Sequence, residues 1–311
     1  MKKILQKAPI AHYRVVHQTS YSYQSVVTLS QQYLHLSPRS FAYQEVTAEE
    51  LRIEPSPSEC TFNLDYFGNK THNITIAVPH QTLLAHAEFT VLLRPRYSLS
   101  EIAGSCPWET VRDRRSIFAP NSTHEPQLFL YPSPHVSCAI ELREYALKSY
   151  PPGRAHLDAA LDLTQRIFND FEFDDKATEI STPLEDVLQG RRGVCQDFAH
   201  LMIGCLRSLG LAARYVSGYI LTHPPEGELR MIGADASHAW VSVFCPTFGW
   251  VDFDPTNSCL VQNEHITLGW GRDFSDVTPM RGVVLGGDKH NLQVNVTVSP
   301  LGTMLSGKPI V

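Results

Sequence analysis

Apolar and polar residues alternate with a period of two over much of the first third of the chain. The runs "YRVVHQTSYSY", "NITIAVP" and "AEFTVLLRP" are typical of half-buried strands, and Ser37-Pro38, Gly68-Asn69 and Pro79 separate such runs as turns. The stretch "DYFGNKTHNITI" predicts a hairpin, because Gly68-Asn69 adopts positive φ readily. Short strands with regular turns predict an N-terminal antiparallel β-sandwich over residues 1–115.

The pattern becomes helical from about Ile140. "HLDAALDLTQRIFNDF" has apolar residues at three- and four-residue spacing, and "STPLEDVLQG" offers Ser181 or Thr182 as a cap, Pro183 in the first turn and Gly190 at the end. The strand-like runs "AARYVSGYIL", "ELRMIG", "HAWVSVFC" and "GWVDFDP" follow. Helices before strands predict an α+β core over residues 116–311 that ends in a C-terminal β extension.

Composition and charge exclude several partner classes. The 311 residues are 43% hydrophobic and carry a formal net charge of −6, which gives no surface suited to nucleic acid or anionic membrane. No run approaches the roughly 18 apolar residues of a membrane span. The start "MKKILQKAPIAHYRVV" has too short an apolar stretch for a signal peptide. We therefore expect a cytoplasmic protein without a nucleic-acid or membrane partner, and its oligomeric state stays open.

Cysteine usage agrees with a reducing compartment. The seven cysteines are an odd number without a CxxC pair, so neither a disulfide scaffold nor a structural zinc site is expected. We expect free thiols, no metal and no cofactor.

One cysteine stands at a predicted helix entrance. In "GRRGVCQDFAHLMIGCLRSLG", Cys195 falls in the first helical turn, whereas Cys205 lies on the packing face. The N–H groups and positive dipole end at a helix start favour a thiolate and can bind an oxyanion. Gly193 permits close backbone approach. Most cysteines are simply small buried residues, so the position alone leaves both interpretations open.

A base and a carboxylate follow downstream. "ADASHAWVSVFCPTFGWVDFDPTN" places His238 at the start of one strand and Asp254 at the end of the next, with a hairpin between them. A thiol nucleophile needs a base, and the base needs a carboxylate that fixes its tautomer. Asp252 shares the strand face of Asp254, but the position at the strand end favours Asp254.

These blocks resemble a known family. "GVCQDFAHLM", "ASHAWVSVF" and "GWVDFDPTN" are similar, in order, to the Cys, His and Asp blocks of the transglutaminase-like superfamily, especially its bacterial cysteine-protease branch. "YRVVHQTSYSYQSVVTLSQQYLHLSPRS" and "DYFGNKTHNITI" resemble the β-rich N-terminal domain of that branch, and "HITLGWGRDFSDVTPMRGVVLGG" resembles its C-terminal segment.

The resemblance implies a papain-like core, with Cys195 as nucleophile, His238 as base and Asp254 as the orienting carboxylate. It implies acyl transfer on a protein, peptide or other amide substrate through a thioester, and we favour hydrolysis over transamidation. The tryptophan that helps to bind the oxyanion in animal transglutaminases has no counterpart, because Trp108 is the only tryptophan before Cys195. Gln196, or backbone N–H groups alone, are the candidates for that role. No acidic loop has calcium-ligand spacing.

Two other functions compete. A non-catalytic binding or scaffold module would keep the fold, although it has no need of all three residues. A Cys/His metal hydrolase is the weakest alternative, because there is no HExxH motif and no ligand pair at short spacing.

Other conspicuous residues have structural interpretations. Trp240 and Trp250 suit a core, and His200 suits helix packing. The segment "GRDFSDVTP", with Arg272, Asp273 and Asp276, suits either the cleft rim or a solvated loop with an internal ion pair. We expect the N-terminal domain to be an accessory unit that flanks the cleft.

Overall fold

The computed structural model describes residues 10–113, 125–179, 181–222 and 237–304. Strands and helices are largely segregated along the chain, in the regions that the sequence pattern predicts. The strands are β1 (Ile10–Leu34), β2 (Gln44–Glu54), β3 (Glu59–Leu64), β4 (Lys70–Ile76), β5 (His80–Leu93), β6 (Glu172–Phe173), β7 (Arg192–Gly193), β8 (Ala213–Ile220), β9 (Ser237–Cys245), β10 (Gly249–Asp254), β11 (Cys259–Leu260), β12 (His265–Gly271), β13 (Met280–Gly286) and β14 (His290–Met304). The helices are α1 (Leu99–Ile102), α2 (Trp108–Asp113), α3 (Ile140–Leu147), α4 (His156–Asp170), α5 (Leu184–Gly190) and α6 (Cys195–Ser208).

A seven-stranded antiparallel sheet forms around the long strand β1. Its order is β2-β5-β1-β4-β3, and β13 and β14 also pair with β1. The first half of β1 pairs with β5 and β14, and the second half pairs with β4 and β13. Ile74 and Ile76 of β4 pack in one cluster with Leu83 and Ala85 of β5, so the sheet curls over a core. The predicted antiparallel β unit is confirmed, and its two layers are halves of one curled sheet.

The last two strands belong to this N-terminal sheet. Ile10 pairs with Met304 and Tyr23 pairs with His290, so β14 covers one edge of β1. The sequence assigned the C-terminal β extension to the unit of residues 116–311, but its hydrogen bonds go to the first strand of the chain. The two-unit division stays a prediction, and the sheet draws strands from both ends of the described chain.

A second antiparallel sheet has the order β11-β10-β9-β8-β12, and α6 packs against β8 and β9. The apolar face around Phe198, Met202 and Cys205 is buried, as its spacing predicts, and the burial extends beyond that face to His200 and Arg207. Arg207 fixes the far end of the helix by donating to the carbonyl oxygens of Ala213 and Arg272 at 2.9 and 2.7 Å. This helix-on-sheet arrangement confirms the predicted α+β core.

The ends of α5 differ in detail from the prediction. Pro183 is the N-cap rather than a first-turn residue, and the left-handed C-terminal residue is Arg191, with φ 56°, instead of glycine. The Arg191 guanidinium lies 4.6 Å from the ring centroid of Phe171 and 5.1 Å from that of Tyr145. These cation–π contacts favour the unusual conformation of a non-glycine residue.

Two side-chain amides join the first sheet to β12, the edge strand of the second. Gln44 donates to the Thr267 carbonyl oxygen at 2.7 Å and accepts the Thr267 N–H at 2.8 Å. Asn69 makes the same pair of hydrogen bonds to Trp270, at 2.8 and 3.0 Å. Each amide thus satisfies backbone groups of an edge strand as a neighbouring strand would. We call this contact between the two sheets the amide seam.

The predicted strand "ELRMIG" lies outside the described residues. Among the helices that the structure describes, none has the length and apolar character needed to cross a membrane.

Candidate active site

The nucleophile candidate lies at the first residue of α6. The Asp197 carboxylate folds back over the preceding turn, where its Oδ2 accepts the Val194 N–H at 2.8 Å and the Thr178 hydroxyl at 2.6 Å. A Cβ atom on Gly193 would lie 2.7 Å from that same Oδ2. A larger residue at position 193 would therefore displace the Asp197 carboxylate that caps the helix. Cys195 is half-buried and packs against the main core cluster.

The base and carboxylate candidates lie on neighbouring strands. β9 and β10 pair antiparallel, which brings His238, near the start of β9, next to Asp254, at the end of β10. The His238 Nε2–H donates to Asp254 Oδ2 at 2.7 Å. Because Asp254 holds Nε2, the other ring nitrogen, Nδ1, is left for the thiol side. His238 also interacts with the Cys195 side chain through a hydrogen bond, so the structure brings together the three residues that the sequence nominated.

The electrostatics of this group favour a charged imidazole. Burial lowers the pKa of His238, but hydrogen bonds and charge interactions with Asp254 and Cys195 outweigh it and raise the pKa to about 10. Burial alone would raise the pKa of Asp254, and the hydrogen bonds from His238 and His265 lower it well below its usual range. At neutral pH, Asp254 is therefore ionised and His238 is protonated.

Sequence reasoning missed two residues around Asp254. Its Oδ2 also accepts the His265 Nε2–H at 2.9 Å and the Asn257 Nδ2–H at 2.7 Å. Its Oδ1 accepts the backbone N–H groups of Thr256 and Asn257 at 2.9 and 3.2 Å. Five donors therefore stabilise the charge of a side chain that is 0% exposed. Asn257 closes the quoted block "GWVDFDPTN", whose final Asn was the available signal.

His265 reaches Asp254 because the second sheet curls. The strand order places β9 and β8 between β10 and β12, so a flat sheet would keep these two residues apart. Trp240 fills the concave side, with its ring centroid 5.2 Å from that of His265. A Cβ atom on Gly218 would overlap the Ile266 carbonyl oxygen and lie 2.7 Å from the Trp240 ring, so glycine is needed both for the close approach of β12 and for the indole.

The two aspartates of β10 have different partners. Asp252 forms a buried ion pair with Arg96, which lies just after β5, and its Oδ2 accepts the Trp240 Nε1–H at 3.1 Å. Asp254 bonds the imidazoles instead. Asp252 and Asp254 lie on the same face of β10, as the two-residue period of a strand predicts. Asp254, at the end of the strand, is the aspartate that contacts His238.

The remaining candidates take structural positions. His200 is buried, and its Nε2 accepts the Phe274 N–H at 3.1 Å. Arg272 and Asp276 form a two-pronged ion pair, and Asp273 is 0% exposed. Trp240 is fully buried and Trp250 is half-buried against Phe129. Gln196 is half-buried, and its oxyanion role stays a prediction.

The imidazole–carboxylate group also has the residue types of a metal site. The ligand atoms of His238, Asp254 and His265 lie within 4.8 Å of one another, and zinc takes such ligands. The Asn257 amide, however, donates an N–H to the same Asp254 oxygen at 2.7 Å. A cation at that oxygen would face the positive end of this donor. The donor set fits a hydrogen-bonded network better than a metal ion.

Comparison with known proteins gives matches to family models and to single proteins. Residues 145–255 match the transglutaminase-like superfamily, and residues 13–92 match the bacterial transglutaminase-like N-terminal region. An uncharacterized Mycobacterium tuberculosis protein is 41% identical over 296 residues, which cover 93% of this chain and 92% of the relative. A Pseudomonas aeruginosa protein-glutamine gamma-glutamyltransferase is 37% identical over 67 residues, 21% of this chain and 10% of the relative.

The fold also has a solved counterpart. The crystal structure of a Cytophaga hutchinsonii protein, described as a candidate cysteine protease, superposes with a TM-score of 0.74 and 20% identity. The match covers 98% of this chain and 95% of that protein. At this identity the likeness shows the fold alone.

Proposed function

The chain belongs to the transglutaminase-like superfamily, and from this premise we propose that it is a cysteine-dependent acyl-transfer enzyme acting on amide or peptide bonds. One observation carries the proposal: a buried imidazole lies between a thiol at a helix entrance and an ionised carboxylate. This arrangement of nucleophile, base and orienting group is what thiol acyl transfer requires.

The first half-reaction forms a thioester. The Cys195 thiolate attacks the carbonyl carbon, and the carbonyl electrons move to oxygen to give a tetrahedral oxyanion. First-turn N–H groups of α6 face the oxyanion, and the Gln196 side chain is a further candidate donor. When the C–N bond breaks, the His238 imidazolium gives its proton to the leaving amine. Asp254 keeps its charge throughout and holds the Nε2–H of His238.

The second half-reaction releases the acyl group. Neutral His238 takes a proton from water, the hydroxide attacks the thioester carbon, and the carboxylic acid leaves as the thiolate returns. An amine in place of water would give transamidation, the chemistry in the name of the Pseudomonas relative, which matches only a short part of this chain. We propose hydrolysis as the main outcome, in line with the resemblance of the Cys, His and Asp blocks to the bacterial cysteine-protease branch.

The test measures thiol reactivity, which requires no knowledge of the natural substrate. Iodoacetamide labelling is followed as a function of pH by peptide mass spectrometry in wild type and in His238→Ala. In wild type we expect Cys195 to label fast well below pH 8, because the imidazolium stabilises its thiolate. In His238→Ala this advantage should disappear.

The same molecule contains its control. Cys60 is an exposed thiol on β3 of the first sheet, so its labelling should be unchanged by the histidine substitution. If Cys195 in wild type labels no faster than Cys60 at low pH, the enzyme proposal is wrong and the binding-module alternative takes its place.

A further inference from the structure

Asp254 serves two imidazoles through a single oxygen. His238 and His265 both donate to Oδ2, at 2.7 and 2.9 Å, and their ring centroids lie 6.0 Å apart. Both rings are buried, with side chains 7% and 5% exposed. The two imidazoles therefore share one acceptor atom.

The two rings carry different charges. Burial lowers the pKa of His265 and outweighs the opposing hydrogen bond and charge of Asp254. His265 is therefore neutral near pH 7, whereas His238 is protonated because the thiol adds to the effect of the carboxylate. A neutral ring can still donate its Nε2–H, so His265 contributes a hydrogen bond without a competing positive charge.

The surrounding charged and titratable groups keep this difference. The charge of His238, followed by that of Arg96, lowers the pKa of His265 further, and Asp252 pairs with the Arg96 guanidinium. Cys259 of β11 lies opposite Asp254 in the neighbouring strand. Burial, followed by the charges of Asp254 and Glu264, raises the pKa of Cys259 to about 12. Cys259 therefore stays a neutral thiol. Cys195 lies on the other side of His238. Its sulfur is unmodified in the free enzyme and acylated in the thioester, so its interaction with His238 differs between the two.

We propose that His265 is a positioning residue that shares Asp254 Oδ2 with His238 and thereby limits how strongly the carboxylate holds the imidazolium proton. A carboxylate oxygen with three donors is a weaker acceptor for each of them than one with two. His238 must give its proton to a leaving amine and later accept one from water. A carboxylate that bound the imidazolium more strongly would slow the first step, and at pH 7 it would leave a smaller fraction of His238 neutral for the second. This inference rests on the proposed function.

The test compares His265→Phe, which fills the site without an N–H, with His265→Gln, whose amide N–H can replace the lost donor. His265→Met is a second variant without a donor and carries the test if the phenylalanine does not fit. Thiol reactivity is read as the pH profile of Cys195 alkylation by iodoacetamide. Deacylation is read as the steady-state turnover of p-nitrophenyl acetate after its initial burst.

Loss of the donor should move the two measurements in opposite directions on the pH axis. The low-pH limb of Cys195 alkylation should shift down by about 0.5 pH, because the imidazolium is held more strongly. The deacylation limb should shift up by a similar amount, so that turnover at pH 7 falls about threefold while the burst persists. His265→Gln should restore both limbs.

Each other result would contradict either the proposed function or the role of His265. If wild-type Cys195 labels no faster than Cys60, the proposed function fails. If wild type behaves as expected but both donor-free variants keep its two limbs, only the role of His265 is wrong. A parallel loss of burst and turnover that glutamine does not restore would assign His265 a merely structural role and also overturn the proposal.

Discussion

The candidate active site and the amide seam both bury polar groups, but they do so in opposite ways. At the site, donors and charges converge on one carboxylate, and Asp254 accepts five hydrogen bonds. At the seam, the Gln44 amide bonds only neutral groups, which are the backbone of Thr267 and the Arg39 carbonyl oxygen. Converging charges make protonation states depend on one another, whereas neutral hydrogen bonds such as those of Gln44 contribute stability that is almost independent of pH.

The largest effect is expected where the charges converge. In Asp254→Asn, His238 loses its fixed negative partner, so the fast low-pH labelling of Cys195 should disappear. Ester turnover should fall about 10⁴-fold, as an equivalent change does in a serine-protease triad. Stopped-flow alkylation and p-nitrophenyl acetate turnover measure the two effects.

Asp252→Asn is the matched control for this substitution, since it lies on the same strand face two residues away. It removes the partner of Arg96 and should reduce stability, yet leave the low-pH labelling of Cys195 in place. Equal losses of reactivity in both variants would contradict the distinction between the two aspartates.

A smaller effect, on stability alone, is expected at the amide seam. Gln44→Ala leaves the N–H and carbonyl of Thr267 buried without their partners, which should lower the free energy of unfolding by about 3 kcal/mol. Urea unfolding of Gln44→Ala is compared with Gln31→Ala, an exposed glutamine of β1 that should change it by less than about 0.5 kcal/mol. If the two variants unfold alike, the seam contributes no stability through Gln44.

The smallest effect concerns a buried histidine that is neutral in the folded protein. His17 of β1 bonds the Tyr219 hydroxyl at 2.6 Å, and burial lowers its pKa to about 4. The unfolded chain binds this proton below about pH 6.5, whereas the folded protein resists it. Stability is therefore fully present above pH 6.5 and decreases as the pH falls toward 4.

This dependence should weaken when the group is removed. At pH 5 the loss attributable to His17 is about 2 kcal/mol, and His17→Gln should abolish that part of the pH dependence. The measurement is the free energy of unfolding of both proteins from pH 7.5 to 5. An identical pH dependence in the variant would show that His17 takes up protons equally in both states.

The parts of the molecule that could be predicted from sequence are those whose information is local. α6 begins at Cys195, as the glycine-to-helix change indicates, and β9 and β10 form the predicted hairpin. The pairing of His238 with Asp254 follows from that hairpin. Each of these features depends on residues less than about twenty positions apart.

The parts that could not be predicted depend on how distant elements meet. His265 reaches Asp254 only because the sheet curls, and no periodicity in the sequence encodes the degree of curling. Gln44 and Asn69 looked like ordinary polar residues of a strand and a turn, because their backbone partners lie some 200 positions away. The attachment of β14 to β1 is of the same kind.

The pairing of β14 with β1 also determines when the first sheet can be completed during synthesis. Because Ile10 pairs with Met304, one edge of β1 has no partner strand until residue 304 has left the ribosome. Val296 and Val298 of β14 complete the apolar cluster between the two sheets, which also contains Tyr219 and Ile266. The helical core can pack earlier, but a nascent chain exposes an open β edge and an unfinished cluster for most of its synthesis. Such an open edge can pair with another chain, so this topology makes the nascent protein prone to aggregation until β14 is added.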